Sequence, residues 1–143
     1  MLDLVPWSGF DPHFLQQTSR TLDVLGAISC VVMGISHIVQ PQLWKTFFAH
    51  LHSLGATGVV LRTFVLELWF ALALVVLHPV TSGPGVVVTV YGWLLFTKCV
   101  VSVLRPQMAL KSLALAEKGA PAFIGAGVML LVVGGCAAAS AAT

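Results

Sequence analysis

The sequence predicts an all-α integral membrane protein with four transmembrane helices. Of its 143 residues, 58% are hydrophobic and 8% are charged, whereas soluble domains carry about 25% charged residues. Four apolar runs have the length of about 17–25 residues that a helix needs to cross a bilayer. The runs do not alternate with period two, so helices are favoured over a barrel. The composition excludes a soluble globular enzyme, and the scattered basic residues exclude a nucleic-acid binder.

The four predicted spans differ in their charges. Arg62 and Glu67 interrupt the second span, Lys98 interrupts the third, and the fourth carries no charge. The turn at 78–85 is short and rich in Pro and Gly, so the second and third spans should be antiparallel neighbours. In chain order, the predicted spans cover about residues 22–39, 58–77, 86–104 and 122–140.

The N-terminal lead, residues 1–20, has no basic run before the first apolar segment. A cleaved signal peptide needs such a run, so the first span is predicted to be retained. Aromatic residues of the lead, Trp7 and Phe14 among them, favour a position at the membrane interface. Thr18 or Ser19 is expected to cap the first helix.

The two longer connectors, 40–57 and 105–121, resemble each other. Each begins with Pro-Gln and reaches a Gly-Ala pair before the next span. This likeness predicts a duplicated unit of span, amphipathic helix and span, at about 21–78 and 86–140 within a transmembrane domain of residues 21–143. Such units would be parallel, not inverted. Shared low-complexity composition is the alternative explanation.

The first connector has one apolar helical face, formed by Trp44, Phe47, Phe48 and Leu51. Lys45 falls on another face. This pattern predicts a helix that lies in the plane of the membrane interface.

Basic residues concentrate on the connectors and set the expected orientation. Lys45, Arg105, Lys111 and Lys118 lie there with a single acidic residue, Glu117. The positive-inside rule therefore predicts cytoplasmic connectors and both termini outside.

Glu67 is the most informative residue for function, because an intramembrane carboxylate is costly. It lies about 13 Å into the second span, at nearly the depth of Lys98, so the two are expected to pair. Arg62 is a competing partner, unless its long stem reaches the interface. Three interpretations stay open: a structural ion pair, a proton or ion relay or polar substrate site, and a contact with a partner subunit.

A relay needs titratable groups across the whole membrane. In the outer halves of the spans the sequence offers only Asp23, His78, Thr89 and Tyr91, all expected near the far surface. No titratable group is then expected between these residues and the Glu67–Lys98 pair, which argues against transport.

Metal, cofactor and catalytic sites are not expected. No cluster of Cys and His has zinc spacing, and His37 is expected to be a hydrogen-bonded polar residue beside Ser36. No metalloprotease, hydrolase, nucleotide or dinucleotide motif occurs. The three cysteines lie inside apolar runs and are expected to be small buried hydrophobic residues.

Small residues recur at four-residue spacing in two spans. The first span has Gly26, Cys30 and Gly34, and the fourth has Gly134 and Ala138. Such faces allow two helix backbones to approach closely. They indicate either packing within the four-helix bundle or docking of the fourth span against another subunit.

Two stretches carry a family resemblance. The stretch 33–41, Met-Gly-Ile-Ser-His-Ile-Val-Gln-Pro, is similar to the first span of DoxX-like proteins. The stretch from His78 through Gly92-Trp93-Leu94 and Lys98 to Pro106 resembles a small family of bacterial four-helix membrane proteins. The resemblance implies a bacterial inner-membrane location and, for some relatives, a role as small subunits of oxidoreductase systems. Glu67 lies outside the resemblance.

The function expected from the sequence is a non-catalytic accessory or assembly subunit of a larger membrane complex. Its partners would be the lipid bilayer and other membrane subunits or further copies of the chain. The first alternative is a small transporter or channel that uses Glu67 and Lys98. The second is a redox or cofactor-binding subunit that uses His37.

Overall fold

The computed structural model describes residues 10–114 and 119–143, which form helices joined by short connections. Four of the helices are long and apolar enough to cross a membrane, which confirms the predicted all-α membrane fold. The second of these, Ala56–Leu77, is interrupted by a π-helical segment. In chain order the helices are α1 Pro12–Val39, α2 Pro41–Ser53, α3 Ala56–Leu61, the π segment Arg62–Glu67, α4 Leu68–Leu77, α5 Gly85–Leu104, α6 Pro106–Leu113 and α7 Ala120–Ala141.

The first helix begins ten residues earlier than the apolar run predicts. Asp11 is its N-cap, and the carboxylate accepts hydrogen bonds from the backbone of His13 and Phe14. Pro12 occupies the first turn, where a missing N–H costs nothing. The prediction that Thr18 or Ser19 caps α1 is therefore wrong. Trp7 lies outside the described residues.

The four spans form a ring in the order α1, α7, α5, α4. Helix α1 packs most extensively against α7, and α4 packs against α5 across the short turn between them. Contacts of α5 with α7 and of α1 with α4 close the ring. The prediction that the second and third spans are antiparallel neighbours is thus confirmed.

Glycines set the closest approach of α1 and α7. A Cβ added to Gly34 would lie 2.8 Å from the Gly127 carbonyl oxygen, and one added to Gly127 would lie 2.7 Å from the Gly34 oxygen. Gly134 packs against Cys30 of α1. Ala138, predicted on the same face as Gly134, is exposed. The small residues of the two spans thus bring α1 and α7 together within one chain, with Gly26 facing Phe70 of α4.

The connectors cover one end of the bundle. Buried Leu51, Val59, Ala109 and Leu113 form a small apolar core between α2, α3 and α6. Phe47 and Phe48 pack against this core, so part of the apolar face of α2 contacts protein. The interfacial position of α2 stays a prediction. The second connector contains α6, while Glu117 and Lys118 lie outside the described residues.

Candidate functional site: two buried polar clusters

The inner cluster consists of Arg62, Glu67 and Lys98. The Lys98 ammonium donates a hydrogen bond of 2.6 Å to Glu67 Oε1, so the predicted pairing is present. Arg62 Nε lies 3.7 Å from the same carboxylate oxygen. Two cationic side chains thus lie next to the Glu67 carboxylate inside the membrane-spanning part of the chain.

The π segment explains why Arg62 and Glu67 meet. In an α-helix, residues five apart point about 140° away from each other, at 3.6 residues per turn. The wider π turn forms hydrogen bonds between residues five apart and therefore returns to nearly the same face. Segments of this kind often mark functional sites in helices. Both residues stand out in the sequence as charges within an apolar run, but the π segment that joins them was not predicted.

The side chain of Arg62 is buried against the second connector. Its side chain is 2% exposed, and Nη1 donates a hydrogen bond of 2.9 Å to Ser112 Oγ on α6. Its Nε and Nη2 atoms have no hydrogen-bond partner among the described residues. The guanidinium therefore links the second span to the second connector while keeping two donors unsatisfied.

Lys98 lies at the edge of the inner cluster. Its side chain is 44% exposed, and it borders a recess of about 240 Å³ between α5 and α6. Ser112, which bonds to Arg62, borders the same recess. The inner cluster thus has one fully buried cation and one half-exposed cation.

His37 does not join the inner cluster. Its Nδ1 lies 2.8 Å from the Met33 carbonyl oxygen, and its ring stacks on Trp44 with a centroid distance of 4.0 Å. The Trp44 indole donates a hydrogen bond of 3.0 Å to Ser36 Oγ. These contacts attach α2 to the end of α1. Within residues 10–114 and 119–143, no group of three or more His, Cys, Asp or Glu is arranged to hold a metal ion.

The outer cluster lies at the opposite end of the bundle and draws one side chain from each span. It consists of Asp23 on α1, His78 at the end of α4, Thr89 on α5 and Ser140 on α7. Asp23 Oδ1 lies 2.9 Å from His78 Nε2, and Asp23 Oδ2 accepts a hydrogen bond of 2.7 Å from Ser140. Asp23 and His78 are 1% and 0% exposed. The cluster is a buried polar network.

The hydrogen bonds of Thr89 determine where protons lie in this network. Its hydroxyl oxygen is 2.9 Å from the carbonyl oxygens of His78 and Val80, and 2.9 Å from His78 Nδ1. A hydroxyl has one proton and carbonyls only accept, so the hydroxyl donates to a carbonyl and accepts from Nδ1–H. The contact between His78 Nε2 and Asp23 Oδ1 then holds one further proton. That proton is on the imidazole in an ion pair, or on the carboxyl in a neutral pair.

A polar vestibule opens above the outer cluster. Its volume is about 510 Å³, and Asp23 and Ser140 lie among its lining residues. Arg20 also lines it and donates a hydrogen bond of 2.9 Å to the Ala141 carbonyl oxygen at the end of α7. Among the residues that the structure describes, the lining also includes His13, Gln16, Gln17, Ser82, Gly83, Pro84 and Thr143.

Sequence reasoning missed the outer cluster because it began α1 near residue 22. Asp23 then falls at the membrane surface, whereas α1 begins at Pro12 and buries Asp23 between helices. One signal was available: Ser19 and Asp23 are four residues apart and share a helical face. Ser19 is also buried and donates a hydrogen bond of 3.0 Å to the Leu77 carbonyl oxygen.

An apolar layer separates the two clusters. Glu67 precedes His78 by eleven residues, which corresponds to about 16 Å along a helix. Buried Ala27, Leu74, Val88 and Ala137 lie in this layer, and Tyr91 packs against them.

The fold and the two clusters define a class: a four-helix membrane protein with ionisable side chains buried inside the bundle. Comparison with protein-family models, curated proteins and solved structures finds no match to this chain.

Proposed function

We propose that this protein moves protons across the membrane through the interior of its helix bundle. The observation that carries the proposal is the 2.9 Å contact between Asp23 Oδ1 and His78 Nε2, buried beneath the polar vestibule. Buried carboxylate–histidine pairs are typical components of proton relays in membranes. Asp23 lies among the lining residues of the vestibule, which places this pair next to one end of the bundle.

The outer cluster bears on the main objection that the sequence raised against transport. That objection was the distance between the inner cluster and Asp23, His78, Thr89 and Tyr91, all expected near the far surface. Asp23 is buried inside the bundle, and Glu67 lies on the other side of the apolar layer. Each half of the bundle therefore contains a carboxylate that can accept a proton.

The arrangement corresponds to a closed state of the proposed path. The buried side chains of Leu74 and Val88 in the apolar layer offer water no hydrogen-bonding group, and Tyr91 packs against this layer. Passage of a proton requires transient hydration of this layer, or movement of Tyr91 between the clusters. Selective flux with a barrier of this kind resembles gating by an apolar constriction.

A flux assay tests the proposal. The purified chain is reconstituted into liposomes that contain a pH-sensitive dye, and a potassium diffusion potential drives proton entry. We expect flux for the unchanged chain and a fall to the level of empty liposomes for Asp23→Asn and Glu67→Gln. Both substitutions keep the side-chain shape and remove a proton-binding carboxylate.

Asp11→Asn is the matched control, because it changes an exposed carboxylate outside the path into an amide that also caps a helix. We expect it to keep full flux. Flux by Asp23→Asn equal to that of the unchanged chain would contradict the proposal.

A second candidate is the accessory or assembly subunit that the sequence favours. The observation in its favour is Lys98, whose side chain is 44% exposed within a membrane-spanning helix. A charged group facing lipid is costly, and a neighbouring subunit would cover it. Absence of flux from the unchanged, folded chain would favour this candidate.

We also propose an orientation and a location. The basic residues of connectors 40–57 and 105–121 support a cytoplasmic position for both connectors and an outer position for both termini. The bacterial inner membrane, the duplicated unit and the DoxX-like relationship rest on the sequence patterns alone.

A further inference from the structure

Arg62 is the buried charged group whose hydrogen bonds are least complete. Among the described residues, the buried side-chain polar atoms without a hydrogen bond are Arg62 Nε, Arg62 Nη2 and Thr63 Oγ1. A buried donor without a partner is costly, and more so when it is charged. A further hydrogen-bond acceptor at these nitrogens would therefore stabilise the guanidinium.

The two unsatisfied nitrogens have a specific geometry. The N–H groups of Nε and Nη2 point to the same side of the guanidinium group and form one of its forks. A fork of this kind binds both oxygens of one carboxylate. Nη1, the remaining nitrogen, is already held by Ser112 on α6, so this fork is oriented and empty.

Glu67 is positioned next to the empty fork. Its Oε1 lies 3.7 Å from Arg62 Nε, beyond the range of a hydrogen bond. The same oxygen is held at 2.6 Å by Lys98. A shift of about 1 Å would bring the carboxylate to hydrogen-bond distance from Arg62.

We infer that the fork of Arg62 is a second binding position for the Glu67 carboxylate, which exchanges between Lys98 and Arg62. In the first position, which the structure shows, Glu67 bonds to the half-exposed Lys98. In the second position it binds Nε and Nη2 of Arg62 together and releases Lys98 into the recess between α5 and α6. The inference adds regulation of the inner cluster to the proposed proton path and rests on that function for its biological meaning.

The exchange changes how exposed the Glu67 carboxylate is. With Glu67 on Lys98, the carboxylate lies at the half-exposed side of the cluster. With Glu67 on Arg62, both its oxygens are bound to a cation that is 2% exposed. The exchange thus moves the carboxylate from the half-exposed side of the cluster to its buried side. The Arg62 position would therefore close the inner end of the path.

Solid-state NMR of the chain in liposomes tests this exchange directly. Glu67 is one of two glutamates, so a Glu117→Gln background leaves it as the single ¹³C-labelled glutamate. Dipolar coupling between its carboxyl carbon and ¹⁵N-labelled arginine reports the distance to the Arg62 guanidinium. We expect weak coupling in this background and clearly stronger coupling, to two nitrogens, when Lys98→Met is added.

Lys111→Met is the matched control, since it removes an exposed lysine of α6 and should leave the coupling at its background value. Lys98→Gln provides a second variant should Lys98→Met fail to fold. Unchanged coupling in the folded Lys98 variant would overturn the inference. The NMR readout does not depend on flux, so failure of the proton-transport proposal and failure of the exchange are distinguishable.

Discussion

Asp23 shows how one carboxylate is accommodated inside the bundle. Both of its oxygens are in hydrogen-bond contact, with His78 on one side and Ser140 on the other. A charge without such partners would be strongly unfavourable at this position. Each partner comes from a different helix, so the polar contacts also hold α1, the end of α4 and α7 together.

Replacement of Ser140 by Ala should therefore destabilise the protein. The substitution leaves Asp23 Oδ2 buried without its donor, and we expect the free energy of unfolding to fall by about 1–2 kcal/mol. Thermal unfolding in detergent measures the change. Ser29→Ala, at an exposed position of α1, serves as control and should have no effect. Equal stability of the two variants would show that the Ser140 hydrogen bond contributes little.

At the scale of single residues, the sequence revealed the inner cluster better than the outer one. Glu67 and Lys98 stand out because a charge within an apolar run is conspicuous, and the short turn between their spans brings them together. Asp23 and His78 are 55 residues apart and stand at the apparent ends of apolar runs. Their contact depends on where α1 begins, and Asp11 and Pro12 determine that position. The hydrophobicity of the sequence alone does not indicate where α1 begins.

Helix α7 has glycines on two surfaces, one that packs against α1 and one with open space around it. Gly127 and Gly134 face α1, whereas a Cβ added to Gly125 or Gly135 would meet no neighbouring atom within 4 Å. The four-residue spacing in the sequence correctly identified α7 as a close-packing helix. It did not identify which glycines make the contact, because the small residues of such a stripe appear equivalent in sequence.

Two neighbouring glycines of α7 should respond oppositely to substitution by Ala. Gly127→Ala places a Cβ 2.7 Å from the Gly34 carbonyl oxygen, and such overpacking lowers stability by about 1–3 kcal/mol. Gly125→Ala meets no atom and gains up to about 1 kcal/mol from the better helix propensity of Ala. Unfolding of both variants in the same detergent checks the difference. A stability of Gly127→Ala equal to that of Gly125→Ala would contradict the described crossing of α1 and α7.

The molecule as a whole has two chemically different ends. The end formed by the connectors carries Lys45, Arg105 and Lys111, all exposed. The other end holds the vestibule and the outer cluster. The number of spans and their pairing through the short turn followed from hydropathy and turn composition. The ring order did not, because the extensive contact of α1 with α7 joins segments from opposite ends of the chain.

This difference between the ends leads to a prediction about membrane orientation. Because basic loops are retained on the cytoplasmic side, Ser53 at the end of α2 should face the cytoplasm and His13 near the start of α1 should face outside. The test uses a variant in which Cys30, Cys99 and Cys136 are replaced by Ala, with a single His13→Cys or Ser53→Cys added. An impermeant maleimide applied to intact bacterial cells should label the first variant, and the second only after permeabilisation. The cysteine-free variant controls for background. Labelling in the opposite order, or of both variants in intact cells, would contradict the orientation and place the vestibule on the cytoplasmic side or on both sides.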